Sequence, residues 1–138
     1  MKQRVGIKVS PARASAFEIL RGVEEEGAFA APLLAGVELG AEDRALCYEL
    51  VLGVLRRQSW LDRVAGHFAG RDAAKLDAPV RRALRLGLYQ LRFLTRVPAR
   101  AAVNESVNLV HAARLRSAAP FVNAVLRRAD REREFDPA

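Results

Sequence analysis

Apolar positions recur along the chain at spacings of three and four, the period of an amphipathic α-helix. They concentrate most heavily in Val80-Arg-Arg-Ala-Leu-Arg-Leu-Gly-Leu-Tyr-Gln-Leu-Arg-Phe-Leu94. At about 100° per residue, Val80, Ala83, Leu84, Leu91 and Leu94 share one broad face, with Leu86 and Phe93 on its flank. The apolar arc exceeds half the circumference, more than a surface helix carries, so the pattern predicts a hub helix covered by several neighbours. Asp77-Ala-Pro79 provides its start, with Asp as the cap and Pro in the first turn. Pro98 closes the region, because the residue before a proline avoids the α conformation.

The remaining segments also read as helices. Ser10-Pro11 is a helix start, and Ala12, Ala16, Ile19, Leu20 and Val23 follow at helical spacing until Gly27. Glu24-Glu25-Glu26 at that C-terminal end opposes the helix dipole. Phe29 to Leu34 predicts a short apolar turn ending near Gly36. Gly40 opens an element with Glu42 and Asp43 in its first turn and a stripe of Leu46, Leu50, Val51, Val54 and Leu55. Arg56-Arg57-Gln58 interrupts the stripe, and Trp60, Leu61, Val64, Ala65 and Phe68 resume it until Gly70. The spacing leaves open whether this is one helix or two. Residues 71–76 form a polar connection. Past the hub, residues 101–115 predict a helix with a Val103, Val107, Val110 stripe, and Ser117 is placed to cap a last helix carrying Pro120, Phe121, Val122, Val125 and Leu126. Isolated glycines inside helical patterns, Gly53 and Gly87 here, mark close helix packing. The expected fold class is all-α: one compact bundle of about six or seven helices over residues 10–130. A flexible N-terminal arm (1–9) precedes it, and a charged tail or linker start (131–138) follows.

A chain of 138 residues with 51% apolar content suits one domain with a real core. No apolar run approaches the roughly 18–20 residues that span a bilayer, and the basic N-terminus lacks the apolar stretch of a signal peptide. Cys47 is the only cysteine, so no internal disulfide forms and a cytoplasmic location is expected. The net charge of +7 is unevenly placed: residues 77–128 carry ten Arg against only Asp77 and Glu105. Guanidinium forks suit phosphate oxygens, and a basic half of a small domain implies a polyanion, most often nucleic acid. The competing reading is a surface charge that serves solubility alone. Arg81, Arg85, Arg92 and Arg96 would form one row if the hub helix ran that far. Arg100, Arg127 and Arg128 extend the basic set, and Arg4, Lys8 and Arg13 add an N-terminal contribution.

Catalytic chemistry is hard to find. Cys47 lies mid-stripe between Leu46 and Leu50, the setting of an inert buried thiol. His67 and His111 lack metal-ligand spacing, so no metal is expected. No glycine-rich phosphate loop is present. Asn104, Asn108 and His111 lie one step round from the valine stripe. Glu105, alone among so many arginines, invites an ion pair, with Arg44 as one possible partner. Tyr89 stands beside the arginine row, where a core or rim position with a bonded hydroxyl competes with base stacking.

Four ordered runs resemble the NusB-like helical domain: Asp43-Arg-Ala-Leu-Cys-Tyr-Glu-Leu-Val-Leu-Gly-Val-Leu-Arg56, Leu84-Arg-Leu-Gly-Leu-Tyr-Gln-Leu91, Val97-Pro98 with Ala102-Val-Asn-Glu105, and Phe121-Val-Asn-Ala-Val-Leu-Arg127. The resemblance covers roughly residues 10–130. It has two branches: free NusB-type antitermination factors, which bind RNA with a ribosomal protein, and the N-terminal domain of RsmB (Sun/Fmu) type 16S rRNA cytosine-C5 methyltransferases. Tyr89-Gln90-Leu91, Lys75-Leu-Asp-Ala-Pro-Val-Arg81 and Phe121-Val-Asn-Ala-Val-Leu-Arg-Arg128 look more like the second. That resemblance implies an rRNA-recognition domain whose parent would use S-adenosylmethionine in a following methylase domain. Nothing here matches the methylase motifs, so neither cofactor binding nor catalysis is expected of this chain alone. The antitermination factor and a non-catalytic docking domain remain the alternatives.

Overall fold

The structure, a computed structural model, describes residues 8–137. Seven α-helices and two short 3-10 turns account for the ordered secondary structure among them. The helices are α1 (Pro11–Glu26), α2 (Ala30–Ala35), α3 (Ala41–Arg56), α4 (Gln58–Ala69), α5 (Ala78–Phe93), α6 (Ala99–Ala112) and α7 (Ala119–Arg131).

Helix α5 is the hub. It contacts α1, α3, α4, α6 and α7, and every residue from Arg82 to Leu91 is buried. The wide apolar arc thus finds a neighbour on each side. Two glycines permit the closest approaches. A Cβ on Gly53 of α3 would lie 2.1 Å from the Tyr89 ring, and one on Gly87 would lie 2.7 Å from both Leu126 of α7 and Ser106 of α6. The Tyr89 hydroxyl in turn donates to Glu49 of α3. Burial and that hydrogen bond push its pKa up to about 12.

Several boundaries differ from expectation. The stripe interrupted at residues 56–58 breaks into α3 and α4 at Arg57. The hub ends at Phe93, so Arg96 lies in the following loop and does not extend the helical row. Helix α6 starts directly after Pro98, earlier than expected. Ser117 does not cap α7; it sits in the 3-10 turn Arg116–Ala118, and the cap position is Ala118. Asp77 holds the N-cap of α5 without a side-chain capping bond. The stretch expected to be a loose tail folds back over the bundle. Phe135 stacks on His67 at 3.6 Å, Trp60 donates to Asp136 at 3.0 Å, and Arg133 donates to the Leu91 carbonyl at 2.9 Å. One aromatic side chain and several hydrogen bonds together hold this polar segment down.

Replacing Gly53 by Ala tests the close approach. The intrinsic gain in helix propensity is about 1 kcal/mol, but a methyl driven into a buried tyrosine costs about 1–3 kcal/mol. Thermal denaturation of Gly53→Ala is therefore expected to show a lower Tm than wild type.

Candidate nucleic-acid interface

The arginines of the hub helix do not form an open row. Arg85 is buried, and its guanidinium grips Asp62 of α4 with two bonds of 2.7 and 2.9 Å. Arg81 pairs with Glu24 of α1 at 2.8 Å and also donates to the Leu76 carbonyl at 2.8 Å. Arg82, which the sequence reading passed over, has its side chain only 1% exposed and bridges Glu24 at 2.9 Å and Glu25 at 2.8 Å. Arg92 donates to the Phe135 carbonyl at 2.8 Å beneath the folded tail, and burial lowers its pKa. Arg81, Arg85 and Arg92 thus turn donors toward partners inside the protein, a correction to their assignment as phosphate ligands, and Arg92 Nε is buried with no partner among the described residues. The physical reason is desolvation: a covered guanidinium must be paired. Glu24-Glu25, read locally as unfavourable for the α1 dipole, supplies part of that pairing.

Arg13 is corrected in the same way. It donates to Gln90 at 2.8 Å and pairs with Glu105 at 3.1 Å. Glu105 also accepts from the Ser10 backbone N–H at 2.7 Å. The expected half-buried ion pair of Glu105 therefore exists, but its partner is Arg13. Arg44 instead donates to the Val37 carbonyl at 3.2 Å. Asn108 holds the Lys8 carbonyl at 2.8 Å. Residues 8 and 9 of the expected flexible arm thus lie pinned along α6. Arg4 lies outside the described residues.

Four parts of the chain meet at one end of the bundle: the starts of α1 and α6, the C-terminal end of α5, and the junction of α3 with α4. That end displays Lys8, Arg56, Arg57, Arg96 and Arg100, all exposed. No hydrogen bond or ion pair among the described residues engages any of their side-chain cations. Lys8, Val9, Pro98, Arg100 and Asn104 line a groove of about 1020 Å³ there. Helix α6 begins beside it with no acid and no side-chain cap in its first turn, so its N–H groups add to the positive field. Of the residues singled out from sequence, Lys8, Arg96 and Arg100 fall here. Arg127 is exposed on α7 and does not line the groove, while Arg128 pairs with Glu132 at 3.0 Å. Arg56 and Arg57 were missed; their interruption of an apolar stripe was the available signal. Among the described residues no group of three His, Cys, Asp or Glu could hold a metal ion, and no helix is long and apolar enough to cross a membrane. Cys47 is buried, and desolvation raises its pKa.

An all-α bundle wrapped round a central arginine-bearing helix, with a cationic end, is the class that fold and surface define. The chain belongs to the NusB family, whose model matches residues 10–131. It is 40% identical over 127 residues to a probable ribosomal RNA small subunit methyltransferase B of Synechocystis, covering 89% of this chain and 28% of that protein. The chain thus spans little more than a quarter of the length of the curated relatives it matches. Among solved structures it is similar to Thermotoga maritima NusB, with a TM-score of 0.80 at 19% identity over 91% of this chain and 93% of that one. It is also similar to a chain in the crystal structure of antitermination factors NusB and NusE with dsRNA. The TM-score there is 0.77 at 24% identity, over 88% of this chain and 94% of that one.

Two measurements check the interior pairing. Asp62→Ala leaves Arg85 covered with only the longer 4.0 Å contact to Glu24, so chemical denaturation is expected to show a loss of about 1–3 kcal/mol, below the fully buried case because Asp62 is partly exposed and Glu24 remains. Burial alone would raise the pKa of Glu24, but bonds and charges from Arg81 and Arg82 outweigh it and hold it below its ordinary value. A depressed folded-state pKa contributes stability above the unfolded value of roughly 4.3, lost as pH falls through the folded one. Stability is expected to fall as pH drops below about 4, and Glu24→Gln should flatten that part of the profile.

Proposed function

We propose that this chain is the RNA-binding domain of an S-adenosylmethionine-dependent rRNA cytosine-C5 methyltransferase, and that its cationic end holds phosphates of 16S rRNA. Methyl transfer and the cofactor belong to a separate catalytic domain; this chain positions the substrate in the cytoplasm. The observation that carries the reading is the separation of charges. Arginines on the hub are neutralised by α1 and α4, while the exposed Lys8, Arg56, Arg57, Arg96 and Arg100 have no side-chain hydrogen bond or ion pair among the described residues, and Lys8 and Arg100 line one groove. Phosphate contacts of this kind position a nucleic acid without reading its sequence. The 40% identity to a methyltransferase named for the small-subunit rRNA supports this parent. The antitermination reading is favoured by the structure containing NusB, NusE and dsRNA, at 24% identity. A docking role is favoured by Phe29, which is 82% exposed.

A salt-titrated binding assay against rRNA fragments tests the proposal. Each phosphate contact contributes about 0.9 to the log–log salt slope on duplex and about 0.7 on single strands. Changing Lys8, Arg96 and Arg100 together to Ala should lower the slope by about 2–3 and weaken binding evenly across sequences. An unchanged slope would reject the assignment. Tight binding only in the presence of a ribosomal protein would favour antitermination.

A further inference from the structure

At the junction of α3 and α4 three planar groups form a column. The Tyr89 and Phe93 rings stack at 5.3 Å with 29° between their planes. The Arg57 guanidinium lies over the Phe93 ring at 4.1 Å. Trp60 meets Phe93 edge-on at 5.3 Å. Tyr89 is buried, Phe93 half-buried and Arg57 exposed, so the column rises from the core and ends in solvent on a guanidinium. Arg57 is held in place from below. It is the single residue between two helices, with φ −116° and ψ 21°, and its backbone N–H donates to the carbonyls of Gly53 at 3.1 Å and Val54 at 3.2 Å. Its side chain makes no hydrogen bond or ion pair among the described residues. The polar groups of the other ring residues are occupied: the Tyr89 hydroxyl donates to Glu49, and the Trp60 indole donates to Asp136.

We propose that the Arg57–Phe93 column is a stacking platform for an unpaired nucleobase of the bound RNA. Unpaired bases stack on aromatic rings or on arginine planes, and those surfaces tolerate any base because each has a π-face. The guanidinium offers a flat outer face together with a charge for the adjoining phosphate, and Arg56 supplies a second exposed cation beside it. The platform sits at the same end of the bundle as the Lys8–Arg100 groove. A strand whose backbone follows the groove can therefore turn one base onto Arg57. The ligand is RNA with at least one unpaired nucleotide, in preference to continuous duplex. This inference rests on the reading of the chain as an RNA-binding domain.

Trp60 is the only tryptophan, so its fluorescence reports on the column's side of the bundle, where it meets Phe93 and bonds Asp136. The test uses the 138-residue chain with a ten-nucleotide single-stranded RNA and with the duplex formed by that strand and its complement. Binding is followed by anisotropy of labelled RNA and by Trp60 emission. The single strand is expected to change Trp60 emission; the duplex should bind through phosphates and leave it unmoved. Arg57→Lys keeps the charge and removes the plane. It should weaken single-strand binding by about five- to a hundredfold, a larger factor than its effect on the duplex, with the salt slope kept because the charge is kept. Phe93→Leu, checked for folding by circular dichroism, removes the support below and should act in the same direction. If both RNAs bind but Arg57→Lys matches wild type and Trp60 emission stays constant, the platform is overturned while the RNA-binding reading stands. The column is then a packing feature or a protein-docking surface. If neither RNA binds at low salt, the RNA-binding reading falls and the platform falls with it.

Discussion

Everything in this fold depends on neutralising the guanidinium groups of its central helix. Arg81, Arg82 and Arg85 lie within two turns of α5, the helix against which five others pack. A charge in such a place is tolerable only when a carboxylate is delivered to it with good hydrogen-bond geometry. Helix α1 delivers Glu24 and Glu25 from its last turn, and α4 delivers Asp62. These bonds cross between helices, so they also fix how α1 and α4 lie on α5. Apolar packing alone tolerates small slides; forked arginine–carboxylate contacts specify one arrangement.

The helices themselves were legible in the chain. Their apolar stripes, the Ser10-Pro11 start, the glycine stops at residues 27 and 70, and the breadth of the hub's apolar arc all have direct counterparts. The fate of individual charges was not legible. Helical periodicity says which residues share a face, not what covers that face. Arg82 and Glu24 are 58 residues apart in sequence, and Arg13 and Glu105 are 92 apart. No local pattern connects them. The high positive charge of residues 77–128 was a true count, but three of its ten arginines, Arg81, Arg82 and Arg85, are interior charge neutralised by acids from earlier segments. The path of the charged tail was not legible for the opposite reason: its composition is polar, yet Phe135 covers the His67 ring and its neighbours bond Trp60 and the Leu91 carbonyl.

Neutralisation inside is also what gives the surface charge its meaning. Removing Arg81, Arg82, Arg85, Arg92 and Arg13 from the available cations leaves a smaller set, in which Arg71, Arg114, Arg116 and Arg127 are exposed past the ends of α4 and α6 and on α7, and Lys8, Arg56, Arg57, Arg96 and Arg100 share one end. There the nearby acids are already engaged. Glu105 lines the groove with Arg100, but one of its oxygens accepts from the Ser10 N–H and the other pairs with Arg13. Its charge is therefore balanced by a buried partner and offsets little of the field from Lys8 and Arg100. The same contact anchors the start of α1 and so holds Lys8 at the groove. A single carboxylate thus joins the two terminal halves of the bundle and keeps the cationic end cationic. Loss of Glu105 would release the Ser10 N–H and one bond of Arg13, leaving Arg13 held by Gln90 and the Ser10 hydroxyl, and the groove would lose its internal counter-charge.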